Sequence, residues 1–160
     1  MQKPNIVCVD DQREVLATLK KDLEDFTKFF KIEYCESAEE AFDLIEEIDA
    51  NGEYLALLIC DHIMPVSNGI DFLIEVDKDI RFIKTRKLLL TGLATHQDTI
   101  VAINNANIDY YVEKPWESEN LRNAVKYLIT KYILNTGIEY KLYLPILDQE
   151  LLYKELRLKN

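Results

Sequence analysis

LALLICDHIMPVSNG, residues 55 to 69, carries an unbroken apolar run into Asp61 and then breaks into a loop holding Pro65 and Gly69. An apolar run of this length suits a parallel strand covered on both faces. An unpaired carboxylate beside a core is costly, so a strand that ends on one points to a use for it. Three other runs end on polar groups in the same way. NIVCV, 5 to 9, meets Asp10 and Asp11; KLLLTG, 87 to 92, contains Thr91 near its end; and IDYYVEK, 108 to 114, ends on Lys114. KIEYC, 31 to 35, is a weaker fifth strand, read as an edge.

Between these runs the apolar period changes to that of helices. Val15, Leu16, Leu19, Leu23 and Phe26 predict one apolar stripe within a helix over 12–30. Ser37 and Glu40 have the S-x-x-E form of a capping box, followed by Ala41, Phe42, Leu44, Ile45 and Ile48. Ile70, Leu73 and Ile74 mark a third helix after Gly69, residues 97–107 a fourth, and Leu121, Val125, Leu128, Ile129 and Tyr132 a fifth. Five strand–helix units joined by right-handed crossovers give an open three-layer α/β sandwich. In such sheets functional groups gather beyond the carboxyl ends of the strands, where the strand order reverses.

The bulk of the chain narrows the function classes. Its 160 residues suit one domain with a short appendage, and 48% hydrophobic with 30% charged residues is the balance of a globular protein. Net charge is −10, without a basic stripe, which speaks against direct nucleic-acid binding. Apolar runs are too short to span a bilayer and the start MQKPNIVCVDDQ is broken by acids, so no membrane partner and a cytoplasmic location are expected. Cys8, Cys35 and Cys60 lack metal-ligand spacing and read as small core residues.

Placed on one edge, Asp10, Asp11, Asp61, Thr91 and Lys114 assemble three carboxylates, a hydroxyl and an ammonium. Converging carboxylates repel unless a cation joins them. An oxygen-only donor set open to water and phosphate suits Mg²⁺, with Asp11 and Asp61 as direct ligands, Asp10 binding directly or through water, and the Ile63 backbone carbonyl completing the protein's share. A carboxylate beside Mg²⁺ can attack phosphorus, and Asp61, ending the central strand, is the candidate nucleophile. Lys114 would pair with one phosphoryl oxygen and the Thr91 hydroxyl would donate to another.

At these residues the chain resembles the receiver domain of two-component response regulators. The resemblance rests on Asp10–Asp11, on D-x-x-M-P-x-x-x-G as Asp61, Met64, Pro65 and Gly69, on Thr91–Gly92, and on Lys114–Pro115, over residues 4 to about 134. It implies a flavodoxin-like doubly wound sandwich with a five-stranded parallel sheet in the order 2-1-3-4-5 and five helices. It further implies Asp61 as phosphoacceptor, Asp10 and Asp11 as the acidic Mg²⁺ pair, Thr91 and Lys114 as phosphate partners, and Tyr111 as an aromatic that rotates on activation. The donor would be a sensor histidine kinase or histidine phosphotransfer protein, and the effector would meet the face of helix 4, strand 5 and helix 5. Lys114-Pro115-Trp116 is similar to the K-P-W subset of receivers, often attached to cyclic-dinucleotide or phosphatase output domains. The function implied is a phosphorylation-activated switch of a phosphorelay, single-domain or truncated, that is not an enzyme beyond its own phosphorylation and dephosphorylation.

Several features depart from that pattern or stand outside it. IDANGEY, 48 to 54, makes the stretch from Asp11 to Asp61 longer than is usual in the family. Ile63 and Leu93, two beyond Asp61 and Thr91, are apolar where many relatives are polar, which predicts slow self-hydrolysis of the phosphoryl group. An aspartyl-nucleophile metal-dependent phosphatase or phosphotransferase is the main alternative, but such enzymes usually carry a second acid where Ile63 stands. A flavodoxin-like FMN carrier would need a hydroxyl- and glycine-rich loop after the first strand, and a docking module independent of phosphorylation would not need every reactive group. His62 is read as an exposed loop histidine, His96 as a surface residue and Met64 as packing under the loop. Trp116 either contacts a partner or covers the start of the fifth helix.

The domain division follows as 1–136 for the receiver and 137–160 for a C-terminal extension. Ile138, Tyr140, Leu142, Leu144 and Ile146 alternate, predicting an extended segment; Leu151, Leu152 and Leu156 after Asp148 predict a short helix. An apolar tail left in water is an association liability, so it should dock on its own receiver or on a second copy as a homodimer.

Overall fold

The computed structural model describes residues 2–62, 64, 68–92 and 97–159. Five strands, β1 (Asn5–Val9), β2 (Lys31–Cys35), β3 (Leu55–Asp61), β4 (Arg86–Thr91) and β5 (Tyr110–Glu113), form one sheet in the order β2-β1-β3-β4-β5, every pair parallel. The helices are α1 (Arg13–Asp22), α2 (Ala38–Ala50), α3 (Gly69–Lys78), α4 (Gln97–Ala106), α5 (Ser118–Thr136) and α6 (Gln149–Lys159). The expected sandwich, strand order and five helices are therefore present, four of them crossing between strands and α5 following the last strand, with α6 added by the extension.

The period-2 geometry of the strands sorts the core into two layers. Ile6, Cys8, Leu57, Ile59, Leu88, Leu90 and Val112 pack under α1 and α5, with Leu19, Val125, Leu128 and Ile129. Val7, Val9, Leu58, Cys60 and Leu89 pack under α2 and α3, with Ala41, Ile45, Phe72 and Leu73. β1, β3 and most of β4 are buried throughout, as their unbroken apolar sequences require. All three cysteines are buried and unpaired, and burial pushes each thiol up, Cys35 to about 12, so they act as core residues.

Local signals set the helix ends. The Glu40 N–H donates to Ser37 Oγ (3.1 Å), and the Glu40 carboxylate accepts from the Glu36 N–H (2.9 Å), one residue before the partner expected of a strict capping box. The helix predicted over 12–30 divides, because α1 ends at Asp22 and residues Glu24–Lys28 tighten into a 3-10 turn that turns Phe26 and then Phe30 into the core. The extra residues of IDANGEY lengthen α2 to Ala50 and turn through Gly52, after which Tyr54 carbonyl accepts from the Asn5 N–H (2.8 Å).

The extended segment expected over 138–146 is corrected: Tyr140–Ile146 is a 3-10 helix. Gly137, at φ +76, ends α5 in the left-handed conformation and reverses the chain. A 3-10 turn repeats every three residues, so it sends Tyr143 and Ile146 inward, which strict alternation could not do. Tyr143 is 1% exposed, its ring 6.0 Å from Phe29 and 5.7 Å from Phe30. The expected final helix is α6, capped by Asp148 Oδ1 accepting from the Leu151 N–H (3.0 Å). It returns along α5 through Leu152, through the Asp148 N–H donating to Thr130 Oγ1 (2.9 Å), and through a Lys131–Glu155 ion pair (3.2 Å). The tail thus packs against α5 of its own chain.

Candidate functional site

The polar strand ends meet at one rim because of the register. Val9 pairs with Cys60, so Asp10 and Asp61 emerge on neighbouring strands; Asp61 pairs with Leu90 and Thr91 with Glu113, which brings Lys114 alongside. The Lys114 N–H donates to the Thr91 carbonyl (2.9 Å), continuing the ladder to the site. Lys114 Nζ lies 2.7 Å from Asp61 Oδ1 and 3.1 Å from Asp10 Oδ2. One carboxylate oxygen from each of Asp10, Asp11 and Asp61 falls within 4.8 Å of the others. Asp10 is fully buried and accepts from the Gln12 N–H (2.8 Å), Asp61 is 6% exposed, and Asp11 is exposed. Asp11, Asp61, His62, Thr91 and Lys114 line an open depression of about 320 Å³.

Electrostatics agree with the geometry. Burial pushes the Asp61 carboxyl above its ordinary value and the charges of Asp10 and Asp11 add to this, while the hydrogen bond from Lys114 opposes it. Burial would lower the Lys114 ammonium, yet its hydrogen bonds to Asp61 and Asp10 leave it raised and charged. One ammonium against three carboxylates leaves net negative charge among oxygen donors facing an open depression. A hard divalent cation such as Mg²⁺ fits that donor set, with Asp10, Asp11 and Asp61 to hold it.

Gly69 guards the position of Asp61. A Cβ built there would stand 1.8 Å from the Asp61 carbonyl oxygen, and the Gly69 N–H donates to the His62 carbonyl (3.1 Å). No side chain fits without moving the backbone of the strand end. Gly69→Ala is expected to destabilise the fold by about 2–4 kcal/mol, within the range of overpacked or strained sites. Chemical denaturation measures this; a loss below about 0.5 kcal/mol would contradict the close approach.

His62 corrects the expectation of an exposed loop residue. It is 9% exposed, its N–H donates to the Leu90 carbonyl (2.9 Å), and Nδ1 lies 3.1 Å from Thr91 Oγ1. Asp61 and Leu90 are paired and share a face, so the next residues, His62 and Thr91, share the opposite one. Strand alternation turns His62 away from Asp61 and, by the same rule, toward Thr91. The signal was available in the sequence: if the ladder runs on past Asp61, His62 sits beside Thr91.

Trp116 covers the start of α5. Its Nε1–H donates to Asp22 Oδ2 (2.8 Å), and Ser118 Oγ–H donates to Asp22 Oδ1 (2.6 Å), so the buried Asp22 ties the end of α1 to the start of α5 beside Lys114. Sequence periodicity missed Asp22 because its partners lie more than ninety positions away. Met64 is buried, as expected. Tyr111 is 48% exposed and faces a hollow of about 540 Å³ lined also by Ile103 and Ile108. Tyr110, beside it, meets Tyr127 of α5 with ring centres 6.3 Å apart and planes tilted by 53°. The Ile63 carbonyl and the expectations for Leu93 and His96 lie outside the described residues.

Comparison with known proteins adds the relatives. The family model described as the response regulator receiver domain matches residues 6–126. The hydrogenase transcriptional regulatory protein HoxA of Cupriavidus necator is 26% identical over 125 residues, covering 78% of this chain and 24% of that regulator. The chain thus spans about a quarter of that relative's length. Chemotaxis protein CheY1 of Helicobacter pylori is 25% identical over 78% of this chain and 95% of its own length. Among solved structures, a CheY-like receiver domain protein from Methanospirillum hungatei superposes with a TM-score of 0.71 at 24% identity, covering 84% of this chain and 99% of that one.

Proposed function

Since the chain belongs to the response regulator receiver domain family, we propose that Asp61 accepts a phosphoryl group with the help of Mg²⁺ and that the protein is a switch in a phosphorelay. The observation that carries this reading is the Asp10–Asp11–Asp61–Lys114 cluster at one rim. Its shape favours phosphoryl transfer. An Asp61 Oδ forms the new bond to phosphorus as the bond from phosphorus to the donor breaks, and a histidine donor would keep the electron pair and take up a proton. Lys114 then follows the transferred charge, and the Thr91 hydroxyl donates to a phosphoryl oxygen. Mg²⁺, held by Asp10, Asp11 and Asp61, would offset the negative charge that otherwise repels the incoming phosphate.

The donor is a histidine kinase or a histidine phosphotransfer protein. The output is a shift between two pre-existing states, in which Thr91 moves to the phosphoryl group and Tyr111 turns from its exposed position into the hollow by Ile103 and Ile108. The effector then reads the α4–β5–α5 face. Among the described residues no helix is long and apolar enough to cross a membrane. We assign residues 1–136 to the receiver and 137–160 to a docking segment that completes its core. A homodimer through the extension has its own support, since Leu142, Tyr153 and Leu158 are 51%, 64% and 75% exposed, and sedimentation at rising concentration tests it.

Incubation with acetyl phosphate and Mg²⁺, followed by mass measurement, tests the reading. One phosphoryl group should be gained and none in the presence of a chelator. With apolar Ile63 and Leu93 in place of polar side chains, the phosphoprotein is expected to persist for minutes or longer; a half-life of seconds would contradict that. Continuous turnover of a small phosphoester would instead support the phosphatase alternative.

A further inference from the structure

We infer that His62 is a positioning residue that holds the Thr91 hydroxyl in the unphosphorylated state and so sets the threshold of the switch. The inference rests on the aspartyl-phosphate reading and concerns a residue that reading does not use. Thr91 is 1% exposed and its Oγ1 lies 3.1 Å from His62 Nδ1. Both side chains leave the strand ends on the face opposite to that of Asp61, through the Asp61–Leu90 pairing and the His62 N–H to Leu90 carbonyl bond.

For Thr91 to donate to a phosphoryl group on Asp61, its hydroxyl must turn from the His62 side toward the Asp61 side. The His62–Thr91 bond is then lengthened or lost, and it exists only in the resting state. A contact made in one state of a two-state equilibrium biases it by the whole of its free energy. A neutral hydrogen bond at a buried site changes such an equilibrium by about fivefold. His62 also lines the same depression as Asp61 and Lys114, so the contact sits within reach of the reaction it restrains.

Beryllofluoride with Mg²⁺, a phosphoryl mimic whose binding draws on the active state, provides the probe, read by calorimetry or by Trp116 fluorescence. His62→Phe keeps the ring volume without the nitrogen and should bind the mimic about fivefold more tightly than wild type. His62→Asn, which places a polar atom near the position of Nδ1, should return the affinity to wild type. In a Thr91→Val background the two His62 variants should bind alike, since the restrained hydroxyl is gone. Thermal unfolding checks each variant, and His62→Leu replaces His62→Phe if the larger ring does not fold. Equal or weaker binding by the folded His62→Phe or His62→Leu protein overturns the inference, as does a His62 effect that persists without the Thr91 hydroxyl. Failure of wild type to bind the mimic, with Asp61→Asn behaving identically, overturns the underlying phosphate reading instead.

Discussion

Asp61→Asn should reduce phosphoryl uptake from acetyl phosphate to background while leaving the fold intact. The amide has nearly the volume of the carboxylate but lacks the charge that makes the oxygen a nucleophile and a metal ligand. Asp61 is held at 2.7 Å by Lys114, nearer than Asp10 at 3.1 Å, and lies within 4.8 Å of the Asp10 and Asp11 oxygens. Lys114→Ala should be less complete. It removes the ammonium that also restrains Asp10 at 3.1 Å, and uptake should slow by about ten- to a hundredfold, the equivalent of one hydrogen bond to a charged group. Intact mass over a time course reads both. Full uptake by Asp61→Asn would show that a different residue is the acceptor.

The second large effect concerns stability. Tyr143 lies between Phe29 and Phe30 in the layer beneath α1 and α5, and Ile146, Leu147 and Leu152 join the same cluster. Tyr143→Ala should cost about 3–5 kcal/mol, as for other buried aromatic truncations, and lower the melting temperature by about 10 °C. Removing residues 137–160 should cost more, because it also uncovers Tyr132 and Ile133, both now buried. Denaturant unfolding measures both variants. A loss below 1 kcal/mol for Tyr143→Ala would mean that the extension is not part of the core. Phosphoryl uptake by Tyr143→Ala below its melting temperature should stay near wild type, since the cluster does not include the Asp61 rim.

The strand ends were legible in the sequence because each requires a continuous apolar run to stop on a charged or hydroxyl residue, and parallel strands bury both faces. That rule located Asp10, Asp11, Asp61, Thr91 and Lys114, which the register then brings to one rim. Helix periods located α1 to α5 for the same reason, since each has one face to bury. What sequence period could not reveal was long-range pairing. Asp22 gains meaning only from Trp116 and Ser118, and His62 only from Thr91. The tail misled by its alternation. Period 2 over 138–146 matched an extended strand, but the tail is held by the burial of Tyr143 against Phe29 and Phe30, and a 3-10 turn places Tyr143 there.

The central claim is that the carboxylate ending β3 forms a bond to phosphorus. Reductive trapping of the acyl phosphate with borohydride, followed by peptide mapping, reports the acceptor directly. The account predicts that position 61 alone is converted to homoserine, and only after incubation with phosphodonor and Mg²⁺. Homoserine at another position, or none in protein that has gained the mass of a phosphoryl group, would contradict it.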